Sequence, residues 1–183
     1  MTTGGDSEEL LLWLVRHAKA VPDPPAGGTD HERLLAPRGR RDAAALGLRL
    51  RAGDLGLGDA ALPGLVLASS AARTTETAEK VAAALGVPLD RRRSLYYGSP
   101  ADVLSELRTL DESLRSVMVV GHNPATHELA LALLAGDDRA GRAALASLPT
   151  CALAVFRTGV TRWRDLAYGA ATLVGFARPP YGE

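Results

Sequence analysis

The chain has 183 residues, 46% hydrophobic and 23% charged, a size and composition that suit one globular domain and exclude wholesale disorder. Its 21 basic residues balance 21 acidic ones, so the broad positive field needed for sequence-independent nucleic-acid binding is missing and no nucleic-acid partner is expected. The single cysteine, Cys151, can form neither an internal disulfide nor a Cys-rich metal site; it reads as a small buried hydrophobe in a reducing compartment.

Residues 1–9 are small and acidic and read as a flexible leader, with one domain over 10–183. The apolar run Leu10–Val15 is cut by Arg16, which breaks a signal-peptide pattern, and no stretch approaches the roughly 18 apolar residues of a membrane span. The expectation is a soluble cytoplasmic protein without a membrane partner.

Leu10–Val15 is too short for a helix and continuously apolar, the mark of a central parallel strand covered on both faces. A Pro/Gly-rich loop, Val21–Asp30, follows, and Pro37 opens a helix to about Arg51, with Ala44, Leu48 and Arg51 in its periodic mix. Leu65–Ala68 is the second strand. Ser69 and Ser70 are suited to cap a helix from Ala71 to Leu85, which Gly86 closes. Val87–Leu89 reads as a short strand, and Arg91-Arg92-Arg93 as a solvated charge run. Ser99-Pro100 begins a helix to about Leu110. Val117–Val120 is a further buried strand, followed by a helix to about Ala135. Ala152–Phe156 and Ala171–Phe176 are strands, and Arg178-Pro179-Pro180 ends the fold. Alternating strands and helices point to a three-layer α/β/α domain with a mostly parallel central sheet.

Such sheets bind ligands beyond the carboxyl ends of their strands. There the sequence places Arg16-His17 after the first strand, Arg73 one turn into the helix after the second, and Gly121-His122-Asn123 after the Val117–Val120 strand. Guanidinium forks and a helix N-terminus together make a phosphate site. A neutral imidazole beside bound phosphate can attack phosphorus, while a second, protonated imidazole can clamp the equatorial oxygens.

Leu14-Val15-Arg16-His17-Ala18-Lys19, Ser69-Ser70-Ala71-Ala72-Arg73-Thr74-Thr75-Glu76-Thr77-Ala78 and Val120-Gly121-His122-Asn123-Pro124 resemble the three signature segments of the histidine phosphatase superfamily. The short chain looks most like its small phosphohistidine phosphatase, SixA-like branch, within the phosphoglycerate mutase-like fold. Asp30 to Gly39 is similar to that branch's Arg-Pro-Leu-x-x-x-Gly pattern, with Leu34 where Pro is usual; Ser70 likewise replaces a usual Pro. The resemblance implies His17 as the phospho-accepting nucleophile and Arg16, Arg73 and His122 as the phosphate pocket, with further contacts from Asn123 and Arg33. It implies neither metal nor cofactor. Phosphoglycerate-mutase-like members carry a Glu general acid where this chain has Ser94 to Ser99, which contains no carboxylate. An alkoxide leaving group needs a proton and an imidazole leaves more readily, so the gap favours phosphohistidine on a protein. Asp30 is the first alternative acid and Asp102 the second.

The competing readings are a phosphatase of a small phosphomonoester and a non-catalytic phosphate- or phosphoprotein-binding module. His31 is expected to be solvated, and Tyr96 and Tyr97 to pack on the following helix. His127, five residues after His122, has the wrong spacing for a shared metal site. Gly53–Gly58 reads as a flexible turn, without the order of a dinucleotide-binding loop.

Overall fold

The computed structural model describes residues 9–57 and 60–181; the expected leader, apart from Glu9, and Gly58 of the glycine-rich turn lie outside the described residues. Six strands, β1 (Leu11–Arg16), β2 (Leu65–Ser69), β3 (Leu89–Arg92), β4 (Ser116–Gly121), β5 (Leu153–Arg157) and β6 (Thr172–Ala177), form one sheet in the order β3-β2-β4-β1-β5-β6. The β3-β2-β4-β1 part is parallel; β5 runs antiparallel to β1, and β6 antiparallel to β5. The mostly parallel sheet expected from the sequence thus carries an antiparallel flank.

Alternation along β1 divides the core between the two faces of the sheet. Leu11, Trp13 and Val15 pack with Ala43, Leu46 and Leu50 of α1 (Pro37–Ala52) and Ala78 and Val81 of α2 (Ala72–Leu85). Leu12 and Leu14 face the other way, toward Val103, Leu104 and Leu107 of α3 (Pro100–Arg108) and Leu129, Ala130 and Leu133 of α4 (Ala125–Leu133). This gives the three expected layers. The helix from Pro37 forms, but its buried stripe is Gly39, Ala43, Leu46, Gly47 and Leu50, and Leu48 is exposed. Gly86 closes α2 in the left-handed conformation, at φ 71°, where a residue without Cβ is favoured.

Local differences from the expectations have local causes. The strand expected at Val87–Leu89 runs over Leu89–Arg92 instead, because an edge strand tolerates exposed charge. Its arginines are paired rather than merely solvated, Arg91 with Glu79 and Arg92 with Asp90 and Glu106. A short helix, α5 (Arg139–Ala144), is capped by the Asp138 carboxylate accepting from Gly141 N; six residues are too few to show a helical period. The ordered chain continues past Pro180 to Tyr181, which is buried and donates its hydroxyl to the Cys151 carbonyl. Among the described residues no helix is long and apolar enough to cross a membrane.

Candidate active site

The parallel register sets Arg16 opposite Gly121, so the residues that follow, His17 and His122, leave neighbouring strands side by side. Their ring centroids are 5.3 Å apart. Arg73, in the first turn of α2, enters from the neighbouring β2. These four residues line a cleft of about 400 Å³ with Asp30, Arg33, Asn123, Tyr96, Tyr97, Lys19 and Thr150. The residues singled out from the sequence are therefore brought together.

His17 is buried, and its Nδ1 lies 2.8 Å from the Ala18 carbonyl. A carbonyl only accepts, so the neutral ring carries its proton on Nδ1 and leaves the Nε2 lone pair free. Burial pulls the ring well below the ordinary histidine value; the bond to Ala18 opposes this, and the charges of Arg73, Arg16 and Arg33 reinforce it, for a net value of about 4. The Ala18 amide is itself held by Thr77 Oγ1 of α2 at 3.0 Å, which fixes the turn that carries the ring.

His122 is hydrogen-bonded through Nε2 to the buried Ser69 Oγ at 2.8 Å, while its Nδ1 is buried without a partner. Burial, then the neighbouring His17 and Arg73, push this ring down to about 3 against the opposing pull of Asp30. The expectation of a protonated His122 clamp is corrected for the free protein, because burial and the nearby Arg73 charge disfavour the charged ring.

The serines also act differently from their expected role. Ala71 is the N-cap of α2 and no side chain caps it; Ser69 turns to His122, and Ser70 Oγ lies 2.9 Å from His31 Nε2. His31 is half-buried rather than solvated, its ring edge-on to Tyr96 at 4.7 Å. Tyr96 and Tyr97 wall the cleft, although packing on the next helix was expected.

Asp30 accepts from Arg33 Nε at 2.7 Å, Arg73 Nη2 at 3.0 Å and Tyr96 Oη at 2.9 Å. Burial alone would raise its carboxyl, but the hydrogen bonds from Tyr96 and Arg33 and the charge of Arg73 prevail and hold it down at about 2. Asp30 is therefore ionised at neutral pH, and its expected role as proton donor is corrected. Asp102 is occupied by the α3 cap, accepting from Ser99 N and Ser99 Oγ.

Arg33 reaches from this carboxylate to the Val21 carbonyl and still lines the cleft. Arg16 Nη1 and Asn123 Nδ2 share the carbonyl of Leu148, at 3.1 and 2.9 Å. The Leu148–Cys151 segment was not foreseen as part of the site, and neither was Thr150. Its one visible oddity is Cys151, at φ 62°, whose amide donates to the carbonyls of Arg16 and His17. Among the described residues, five buried polar side-chain atoms lack a partner: Arg16 Nε, Arg73 Nε, His122 Nδ1, Asn123 Oδ1 and Arg49 Nε. All but the last belong to residues lining this cleft. Buried polar groups are normally satisfied; Asn123 Oδ1 only accepts, but Arg16 Nε, Arg73 Nε and the protonated His122 Nδ1 are donors gathered at one place, which suits an anion. His127 is structural, with Nε2 2.7 Å from the Leu145 carbonyl, and among the described residues no group of three or more His, Cys, Asp or Glu side chains is placed to hold a metal.

The sequence profile of the histidine phosphatase superfamily (branch 1) matches residues 12–96. The chain is 37% identical over 169 residues to the uncharacterised protein Rv1276c of Mycobacterium tuberculosis, covering 90% of this chain and 99% of that one. Among solved structures it resembles a candidate phosphohistidine phosphatase SixA from Nakamurella multipartitia, with TM-score 0.77, 30% identity and coverage of 93% and 96% of the two chains. A second SixA candidate, from Agrobacterium tumefaciens, gives TM-score 0.72, 28% identity and coverage of 93% and 99%. The chain belongs to the histidine phosphatase superfamily, in its SixA-like branch, and is a hydrolase of the phosphatase kind.

Proposed function

We propose that the protein is a metal-independent phosphohistidine phosphatase of the cytoplasm, acting on phosphorylated proteins through a covalent phosphohistidine at His17. The observation that carries this reading is the His17 ring, held neutral with Nδ1–H on Ala18 and Nε2 free, in a cleft lined by Arg16, Arg33 and Arg73. The free lone pair attacks phosphorus as the bond from phosphorus to the leaving nitrogen breaks and its electron pair stays on that nitrogen. Water then attacks the phosphorylated His17, the Nε2–P bond breaks, and inorganic phosphate leaves with His17 restored.

Arg16 and Arg73, each with a buried unpartnered Nε, supply donors for the equatorial oxygens. With the Ser69 hydroxyl donating to Nε2, His122 carries its proton on Nδ1 and offers it to the same phosphoryl group. Asn123 and Arg33 complete the lining. Among the described residues no carboxyl group in the cleft is poised to protonate an alkoxide, since Asp30 is held ionised, which supports P–N over P–O substrates. The two SixA neighbours, described as candidate phosphohistidine phosphatases, support phosphohistidine as the substrate group.

The test is phosphate release, with chelator present, from phosphorylated polyhistidine and a panel of phosphomonoesters. Preferential P–N hydrolysis that drops by ~10³-fold or more in His17→Ala is expected. Nearly full activity in that variant overturns the nucleophile, and faster ester hydrolysis by the unaltered protein overturns the substrate class.

A further inference from the structure

Asp30 is an acidic side chain in a cleft built for an anion. Oδ1 receives Arg33, and Oδ2 receives both Arg73 and Tyr96. Every one of these neighbours donates, so the ionised carboxylate is the form that fits. A carboxylate has about four acceptor positions, and three donors leave one open. The side chain is 56% exposed despite these anchors, so the open position faces the accessible part of the cleft. The Tyr96 and Tyr97 rings stand beside it with centroids 4.2 Å apart, and Tyr97 is 85% exposed. Tyr96 is already packed by His31, His122 and the Arg73 guanidinium, so the open ring is that of Tyr97, and an anion next to it attracts a flat cation.

We propose that Asp30 is a specificity-determining residue that selects substrates whose leaving group is a protonated ring, its carboxylate accepting the N–H of a substrate imidazolium stacked on the tyrosine wall. This rests on the phosphohistidine reading above. In the transfer step, His17 Nε2 forms its bond to phosphorus as the P–N bond breaks, and the electron pair remains on the departing nitrogen. The other ring nitrogen holds its proton on Asp30 throughout, so the ring departs as neutral imidazole without an added acid. A departing alkoxide has no such proton and gathers negative charge against the same carboxylate. Asp30 thereby favours the nitrogen leaving group and opposes the oxygen one.

The experiment compares Asp30→Asn with the unaltered protein on phosphorylated polyhistidine and on p-nitrophenyl phosphate. Asn keeps the size and the acceptor for Arg33, and loses the charge together with the oxygen that accepts from Arg73 and Tyr96. The ratio of kcat/KM for the P–N substrate over the ester is expected to fall about tenfold or more. The alkaline limb of kcat on the P–N substrate should move to lower pH, because the bound imidazolium loses the anion that stabilises it. The charged and titratable groups facing Asp30 are Arg33, Arg73, Tyr96 and His122; loss of its charge lowers Tyr96 and His122 whichever substrate is bound, so the ratio and not either rate carries the test. Equal losses on both substrates, or an unchanged ratio, overturn the proposal while leaving the phosphohistidine reading intact. An unaltered protein that prefers the ester overturns both.

Discussion

Gly39, in the first turn of α1, lies against the backbone of Lys19 so closely that a Cβ there would sit 2.1 Å from the Lys19 carbonyl oxygen. That same oxygen accepts from Ala36 N at 2.8 Å. The start of α1 thus rests on the chain two residues beyond His17. Gly39→Ala cannot be accommodated by a side-chain rotation, because the obstacle is backbone. A loss of about 2 kcal/mol or more is expected in denaturant unfolding, with turnover reduced in the fraction that folds. A Gly39→Ala protein as stable and active as the original would refute this packing.

The two depressed histidines set an acid limit on stability. An unfolded histidine titrates near 6.5, whereas His17 and His122 in the fold are pushed down to about 4 and about 3. Between those values and 6.5 the unfolded chain binds more protons than the native one, so stability rises with pH through that window and declines on acidification. Urea unfolding at about pH 7 and about pH 4.5 checks this, and His122→Gln should flatten the slope. A slope of opposite sign would show that the rings are charged in the fold.

Ser69→Ala removes the hydroxyl bonded to His122 Nε2 and leaves a buried ring nitrogen without its partner. Turnover should fall about tenfold, with thermal stability only slightly lowered. Ser69→Thr, which restores a hydroxyl, should recover part of the loss; a variant at full activity would show that His122 needs no support from β2.

Cys151 has no exposed surface. Burial, with the Asp42 carboxylate adding to it, pushes its thiol far above the ordinary value, so little thiolate is available to react. Iodoacetamide should leave the native protein unmodified and label it at one position after denaturation. Rapid labelling of the native protein would contradict the close packing of the segment after Leu148.

The central parts of this molecule were legible because each rests on local chemistry. The apolar runs of β1 and β4 announce buried strands, and the polar residues that end them, Arg16-His17 and His122-Asn123, mark the edge where ligands bind. Arg73 was legible for the same reason, one turn after β2. What stayed hidden depends on partners from several segments. Asp30 looks like a free acid in the sequence, and becomes a fixed carboxylate only when Arg33, Arg73 and Tyr96 converge on it. Ser69 and Ser70 have the composition of a helix cap, yet two histidines from distant segments outcompete the α2 amides for their hydroxyls. Leu148 contributes through its carbonyl alone, and a backbone oxygen leaves no mark in residue type.

The pairing of Arg16 with Gly121 makes strand alignment a dimension of the candidate site. A slip by one residue would exchange the side chains of β1 between its two buried faces and put Trp13 where Leu12 and Leu14 pack, so the fit of side-chain shapes opposes it. A slip by two would keep every face and most of the core, yet displace one histidine along the sheet by about 6.6 Å. That exceeds the present ring separation of 5.3 Å. A misaligned molecule of this kind would be compact and soluble but inert, which makes activity a stricter assay of correct folding here than any measure of compactness.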